Sequence, residues 1–336
     1  MKNRIFCLIF VLLCLVGCAA LPTGDTPSDD LRAGFLAGAD AVTVTDTAVI
    51  FTDTSGRERV EIAKAPASTA ILYASLTTLW YEAGGVVSGC IGSTSARELY
   101  TEVIGRDITL DDGIEVLSTS AAAKNWNLEA MIAASPDLII VSTAMNGYAT
   151  VAPAASAAGI PVIAVEYNDF ADYLKWFKVF CHLTGHPELW ESVALAALDE
   201  VMATLAAVPA GDAPSVLALF AGSESLQADT SSTVLGEMLT LVGARNVIGD
   251  AGGERVEVNL EQIYAADPDV ILILCHGSVE QAAAQVEASV GGNPVWQALR
   301  AVQKGNVHYL ERGLFHNKPN SRFAEAYEKL TEILYK

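Results

Sequence analysis

His182 and His186 stand four residues apart, the spacing that sets two imidazoles on one helical face for a shared metal. Gly185 and Pro187 interrupt the helix that would align them, so the pair predicts no such site. Asp53-Thr54-Ser55-Gly56 has the residues of a proton-sharing aspartate loop, but that chemistry needs two such loops and the chain carries one imperfect copy. Of the six cysteines, Cys90, Cys181 and Cys275 lie beyond the first twenty residues; they are odd in number, far apart and read as buried apolar thiols. Gly-x-Ser-x-Gly, His-Glu-x-x-His, the phosphate loop and Gly-x-Gly-x-x-Gly are all missing from the sequence. These residues give no ground for bond-making chemistry, and the expectation is a protein that is not an enzyme and needs no resident cofactor.

What the chain does carry is a repeat. Asn127-Leu128-Glu129 with Pro136-Asp137-Leu138-Ile139-Ile140 returns 132 residues later as Asn259-Leu260-Glu261 with Pro268-Asp269-Val270-Ile271-Leu272. Each copy predicts an Asn-capped helix that stops before Pro-Asp and leads into a buried strand. A solenoid repeats at about 50 residues or fewer, so this period predicts two similar lobes, with a small-molecule cleft between them.

The elements that would position a cleft follow the same logic. Val42 to Ile62 alternates around Asp53-Thr54-Ser55-Gly56 as a hairpin does. Strands are expected at Ala70–Ala74, Val86–Ile91, Leu138–Ser142 and Val162–Val165, with helices at Thr77–Ala83 and Ala149–Ala158. The β-α-β-α order predicts an α/β fold with mostly parallel sheets flanked by helices. Asp169–Thr184 reads as one helix, and Pro187 to Val208 as a long amphipathic helix bridging the lobes. Strands resume at Val216–Phe220, Val270–Leu274 and Val307–Leu310, with helices at Ser232–Val242, Leu260–Ala266, Val279–Val290 and Asn293–Ala301. A final helix carries Phe323, Tyr327, Leu330 and Leu334, with Asn320 or Ser321 as its cap.

The first residues read as a targeting segment. Lys2 and Arg4 precede an apolar run from Ile5 to Val16 that ends at Leu15-Val16-Gly17-Cys18, which is too short for a membrane span. It matches a lipoprotein signal peptide over 1–17, with lipidation of Cys18 and a flexible tether over 18–41. The expected lobes are 42–168 and 211–336, joined by connecting helices over 169–210. The net charge of −20, with no basic stripe, argues against nucleic-acid binding.

Taken in order, several segments resemble the bacterial ABC-importer substrate-binding proteins of the helical-backbone class, which take cobalamin, haem or ferric siderophores. They are Thr52-Asp53-Thr54-Ser55-Gly56-Arg57, both Asn-Leu-Glu copies, Leu235-Gly236-Glu237-Met238-Leu239, Val242-Gly243-Ala244-Arg245-Asn246 and the ending from Val307-His308-Tyr309-Leu310 through Lys318-Pro319-Asn320-Ser321-Arg322 to Glu325-Ala326-Tyr327. The likeness spans nearly all of the chain after the signal. One departure is Ala74-Ser75-Leu76-Thr77-Thr78, where that family often has Pro-Ser-x-Thr-Glu. The resemblance implies an extracytoplasmic, lipid-anchored monomer that captures a metal chelate or corrinoid and delivers it to a permease and ATPase. It also implies that Glu129 and Glu261, one per lobe, pair with permease arginines, besides favouring their helix N-termini. Importers of free zinc or manganese use histidines spread over both lobes, and here none precedes His182. The bridging helix is expected to restrict lobe closure to small motions.

Ligands of open α/β sheets sit beyond the carboxyl ends of the strands. That rule nominates Tyr73, Ser75, Ser93, Thr143 and Asn146 in the first lobe, with Lys124, Asn125 and Trp126 from the loop before the repeated helix. In the second it nominates Phe220, Ser223, His276, Phe315, His316 and Lys318. Trp126 and Phe315 either face a ligand or fill the cores. His276 and His316 either ligate a haem iron or serve as hydrogen-bonded cleft residues. Cations at these positions are few, chiefly Lys124 and Lys318, which leaves haem, cobalamin and a less charged chelate all open. A surface sensor or scaffold with a vestigial cleft, and more distantly an extracytoplasmic hydrolase, are the competing readings.

Overall fold

The computed structural model describes residues 29–120, 126–145 and 147–336. Cys18 and the signal lie outside the described residues, as do Lys124, Asn125 and Asn146. The chain enters through α1 (Asp29–Asp40) and a small antiparallel sheet, β1 (Thr43–Val44), β2 (Ala48–Phe51) and β3 (Val60–Ala63). The hairpin expected around Asp53–Gly56 is the β2–β3 pair. The tether reading of 18–41 is overturned over its second half. Phe35 and Ala39 of α1 are buried, Phe35 packs edge-on against Phe170 with ring centroids 5.2 Å apart, and Lys178 Nζ donates to the Ala39 carbonyl at 2.9 Å. A low content of large apolar residues hid the helix, because buried Phe35 with Leu31 and Leu36 half-buried against the core suffices to dock it.

The first lobe follows with β4 (Thr69–Ile71), α2 (Ala74–Glu82), β5 (Gly89–Ile91), α3 (Thr94–Ile104), β6 (Glu115–Ser118), α4 (Leu128–Ala134), β7 (Leu138–Ser142), α5 (Tyr148–Ala157) and β8 (Val162–Val165). Its sheet has the order β6-β5-β4-β7-β8 and is parallel throughout. Next comes α6 (Phe170–Thr184), capped by the Asp169 carboxylate on the Asp172 N–H and closed by Gly185 at φ +86°. It is apolar on most sides and accordingly buried on most sides. The bridging run is helical from Glu188, but Trp190–Leu195 form a π-helical turn before α7 (Ala196–Ala206).

The second lobe contains β9 (Ser215–Ala221), β10 (Leu226–Asp229), α8 (Val234–Leu241), β11 (Arg245–Asn246), β12 (Arg255–Glu257), α9 (Leu260–Ala266), β13 (Val270–Cys275), α10 (Val279–Val286), α11 (Pro294–Gln297), α12 (Arg300–Gln303), β14 (Val307–Leu310), α13 (Arg312–Phe315) and α14 (Phe323–Tyr335). Its sheet runs β12-β10-β9-β13-β14, with β11 also on β9; β10 and β12 are antiparallel to their neighbours and the rest parallel. Two local expectations fail. The helix expected over Asn293–Ala301 breaks at Leu299, whose backbone is extended, into α11 and α12. Neither Asn320 nor Ser321 caps α14: Asn320 opens a 3-10 turn at φ 54° and its side chain turns toward the first lobe.

The repeat is structural down to its register. Asn127 and Asn259 both cap their helices, accepting from the N–H groups of Ala130 and Gln262 at 3.1 Å each. Both helices end in a left-handed residue other than glycine, Ser135 at φ 47° and Asp267 at φ 37°. Ile139 then pairs with Ala70 and Val162, and Ile271 with Leu217 and Val307. Alternate strand residues feed different cores. Ile140, Ile163, Val216 and Ala218 join one central core that runs through both lobes and α6, whereas Ile139, Val141, Leu217 and Leu219 face the outer helices.

Candidate functional site

The strand ends of both lobes line one groove of about 550 Å³. Thr94, Ser95 and Glu98 come from the start of α3 beyond β5, and Ser223, His276 and Arg312 follow β9, β13 and β14. Parallel strands deliver these residues together because their carboxyl ends all emerge on one side of each sheet.

Beside this groove the second lobe carries an aromatic and cationic wall. His276 Nδ1 and His316 Nε2 are 3.1 Å apart and share one proton between them as donor and acceptor. Phe220 stacks on His316 with centroids 5.2 Å apart and meets His276 edge-to-face at 5.9 Å. The Arg255 guanidinium lies 4.1 Å from the centroid of Phe220, fixed there by a 2.8 Å bond from its Nε to the buried Asp229 carboxylate. Burial, then His276, Arg255, Arg312 and Lys318, push the His316 pKa down to about 3. Burial and the charges of Arg312 and Arg255 lower that of His276 as well. Both imidazoles are therefore neutral at neutral pH, the form that can ligate a metal. Lys318 Nζ sits 5.5 Å from the Tyr167 ring centroid; burial lowers its pKa to about 8, against the pull of Glu254 and Asp172.

The first-lobe nominees divide. Tyr73 is half-buried at the start of α2, and its phenol feels burial first and then Glu254 and Arg255 of the opposite lobe. Ser75 is buried, and its carbonyl accepts from Asn320 Nδ2 at 3.4 Å. Thr78, at the place where the related chains often carry Glu, receives the same Asn320 amide at 3.0 Å, and Glu82 one turn on accepts the Ser321 N–H at 3.2 Å. The stretch that departs from the family pattern is thus an interlobe seam. Ser93 is buried as the cap of α3, accepting from the Ala96 N–H at 3.2 Å. Thr143 and Trp126 are half-buried; among the described residues neither the Thr143 hydroxyl nor the Trp126 indole N–H has a partner, and Trp126 packs against the central and outer cores.

Phe315 is 4% exposed and belongs to the central core, so of its two readings the structure realises the core one. Cations are more numerous than the sequence predicts: Arg255 and Arg312 join Lys318 around His316. Arg312 lies two residues beyond β14 and the strand-end rule reaches it. Arg255 opens an edge strand that no apolar run announces, and only the fold brings it to Phe220. Glu129 and Glu261 are both exposed in the first turns of their capped helices, at equivalent places in the two lobes. Among the described residues no cluster of three or more His, Cys, Asp or Glu side chains is arranged for a metal, and no helix is long and apolar enough to cross a membrane.

Comparison with known proteins gives this geometry a family. The chain is 28% identical over 123 residues to the high-affinity heme uptake system protein IsdE of Staphylococcus aureus, covering 37% of this chain and 42% of that protein. It thus spans less than half the length of the curated relatives it matches. An ABC transporter substrate-binding protein from Listeria monocytogenes superposes with a TM-score of 0.64 at 19% identity, over 81% of this chain and 99% of the other. The periplasmic heme-binding protein RhuT from Roseiflexus sp. RS-1 does so at 0.62 and 22% identity, over 80% and 98%. At such identities these structures share a fold. The helical-backbone α/β fold, its duplicated lobes and a family model matched over residues 70–312 agree: the chain belongs to the periplasmic binding protein family.

Proposed function

We propose that this chain is the extracytoplasmic capture protein of an ABC importer, tethered by lipid on Cys18, which holds one metal chelate between its lobes and hands it to a permease. The family match over residues 70–312, on a groove lined by the strand ends of both lobes, is the observation that carries the reading. Exposed Glu129 and Glu261, equivalent in the two lobes, are the permease contacts on this proposal. No covalent bond of the cargo is made or broken; the protein binds and releases.

Among chelates and corrinoids, haem fits the wall best. It is a flat apolar disc with ionised carboxylates, matched here by Phe220 and by the cations Arg255, Arg312 and Lys318. When His276 donates its Nδ1 proton to His316, its Nε2 keeps a lone pair for iron, and the accepting partner fixes that tautomer. The names of the IsdE and RhuT relatives point the same way.

The test is an absorbance titration of the purified chain with haemin, repeated on His276→Ala. A Soret shift that saturates at about one equivalent, and changes position in the variant, supports the haem reading. Binding of cyanocobalamin or a ferric siderophore, with no Soret shift, replaces haem by that ligand. Failure of all three to quench tryptophan fluorescence defeats the transport role.

A further inference from the structure

Among the described residues, one ion pair joins groove-lining side chains of the two lobes. Arg312 Nη1 donates to Glu98 Oε2 at 2.9 Å, joining the start of α13 in the second lobe to α3 in the first. Both residues line the groove, together with His276. The partners are unequal: the Glu98 side chain is 60% exposed and the Arg312 side chain 21%. Arg312 is the half held by the protein, and Glu98 the half standing in water.

The pairing also leaves the guanidinium under-used. Arg312 Nε is buried without a partner among the described residues, and the carboxylate takes one N–H where the planar fork can offer two parallel bonds. Arg255, the neighbouring cation, is already engaged by buried Asp229 through its Nε and by Phe220 through its face. Among the described residues Arg312 is thus the groove cation whose one anionic partner is solvated and held at a single point, and such exposed pairs are weak.

We propose that Glu98 is a built-in stand-in for a ligand carboxylate. In the empty protein it occupies Arg312 and fastens α3 to the second lobe; the acidic arm of the cargo displaces it, takes the guanidinium through both bonds and releases that fastening. The site therefore selects a cargo with at least one ionised carboxylate. A ligand without one leaves the latch shut and gains nothing from Arg312. Glu102, one turn further along α3, meets Arg322 at 3.4 Å and keeps the lobes in contact when Glu98 swings out. This deepens the proposed function, from which it takes only the location of the cleft.

The experiment compares haem with haem dimethyl ester, which lacks free carboxylates, on the wild-type chain, Glu98→Gln and Arg312→Gln, by Soret titration. Glu98 is exposed, so its variant is expected to fold, and melting curves verify both variants. The expected result is haem binding about five-fold tighter in Glu98→Gln, where the competitor has lost its charge. Arg312→Gln should weaken haem binding about ten-fold, with the ester unaffected by either change. Unchanged or weaker haem binding in Glu98→Gln, or an equal response of the ester, overturns the proposal. If neither porphyrin binds any variant, the haem assignment is wrong, and the latch is judged with ferric citrate by thermal shift. Greater stabilisation of Glu98→Gln than of wild type then upholds the stand-in role, and equal or no stabilisation overturns it.

Discussion

Asp269 holds Ser215 at two points, accepting its backbone N–H at 3.0 Å and its hydroxyl at 2.6 Å, while the Ser215 carbonyl takes the Asp269 N–H at 2.8 Å. In the first lobe Asp137 does the equivalent with the N–H groups of Ala67 and Ser68, at 2.9 and 3.0 Å, and returns its own N–H to the Ser68 carbonyl. The Pro-Asp of each repeat is therefore a clasp that aligns the starts of two adjacent parallel strands.

Asp269→Ala and Asp137→Ala should each cost about 1–2 kcal/mol in urea unfolding, with costs that add within about 0.5 kcal/mol because the clasps share no partner. The bonds from Ser215, helped by Arg300, hold the Asp269 carboxyl below its ordinary value. Its contribution is present above about pH 4 and fades as the pH falls. A cost indistinguishable from zero for either variant would show that the clasp does not align the strands.

Asp53 is a structural residue, and its carboxylate is wholly buried. Burial alone would raise its pKa, but bonds from Arg57 and Ser55 and the Arg57 charge reverse this and leave it lowered. It accepts from the Ser55 N–H and hydroxyl, from the Arg57 N–H and side chain, and from the Ala164 N–H at 3.3 Å, so the hairpin tip is sewn to β8. The Arg57 side chain is 49% exposed and turns to water when its partner is gone, but the N–H groups of Ser55, Arg57 and Ala164 lose their acceptor, so Asp53→Ala should lose about 1–3 kcal/mol. A loss below about 1 kcal/mol in equilibrium unfolding, within the range of an ordinary exposed pair, would contradict this.

Gly236 lies on the first turn of α8 with no room for a side chain. A Cβ there would meet the Thr230 carbonyl and come within 2.8 Å of Ser231 Cα, both backbone atoms. Helix propensity favours alanine over glycine by about 1 kcal/mol, whereas crowding of this kind costs about 1–3 kcal/mol. Gly236→Ala should therefore melt lower than wild type, and a variant that melts higher would mean the Thr230–Ser231 loop yields freely.

Glu237 of α8 tests the electrostatics around the start of α6. Burial, then Asp169 and Asp172, push its pKa up to about 8. The folded protein holds this proton more tightly than the unfolded chain, so stability is complete below the ordinary glutamate value and is lost as the pH rises toward 8. Glu237→Gln, which never ionises, should melt with wild type near pH 4 and progressively above it through pH 8. Parallel melting curves across that range would refute the assignment.

Legibility followed the range of the interactions. Asn127 and Asn259 bond within their own first turns, so their caps were readable from neighbouring residue types, and the β7, β8, β13 and β14 runs matched their strands closely. Asn320 looked like another cap by composition, yet its amide bonds Thr78, 242 positions away, a partner no local window contains. The same holds for α1, which is helical because α6 gives Phe35 a place to pack.

The sequence alone determined the duplicated α/β plan, because capping, Pro-Asp punctuation and apolar strand runs are local and recur at one offset. Tertiary structure decided what the cleft is made of. It turned Phe315 inward, set Arg255 against Phe220 from an edge strand, and brought Glu98 across to Arg312. Those pairings depend on how distant strand ends converge in space, and spacing along the chain carries no record of that convergence.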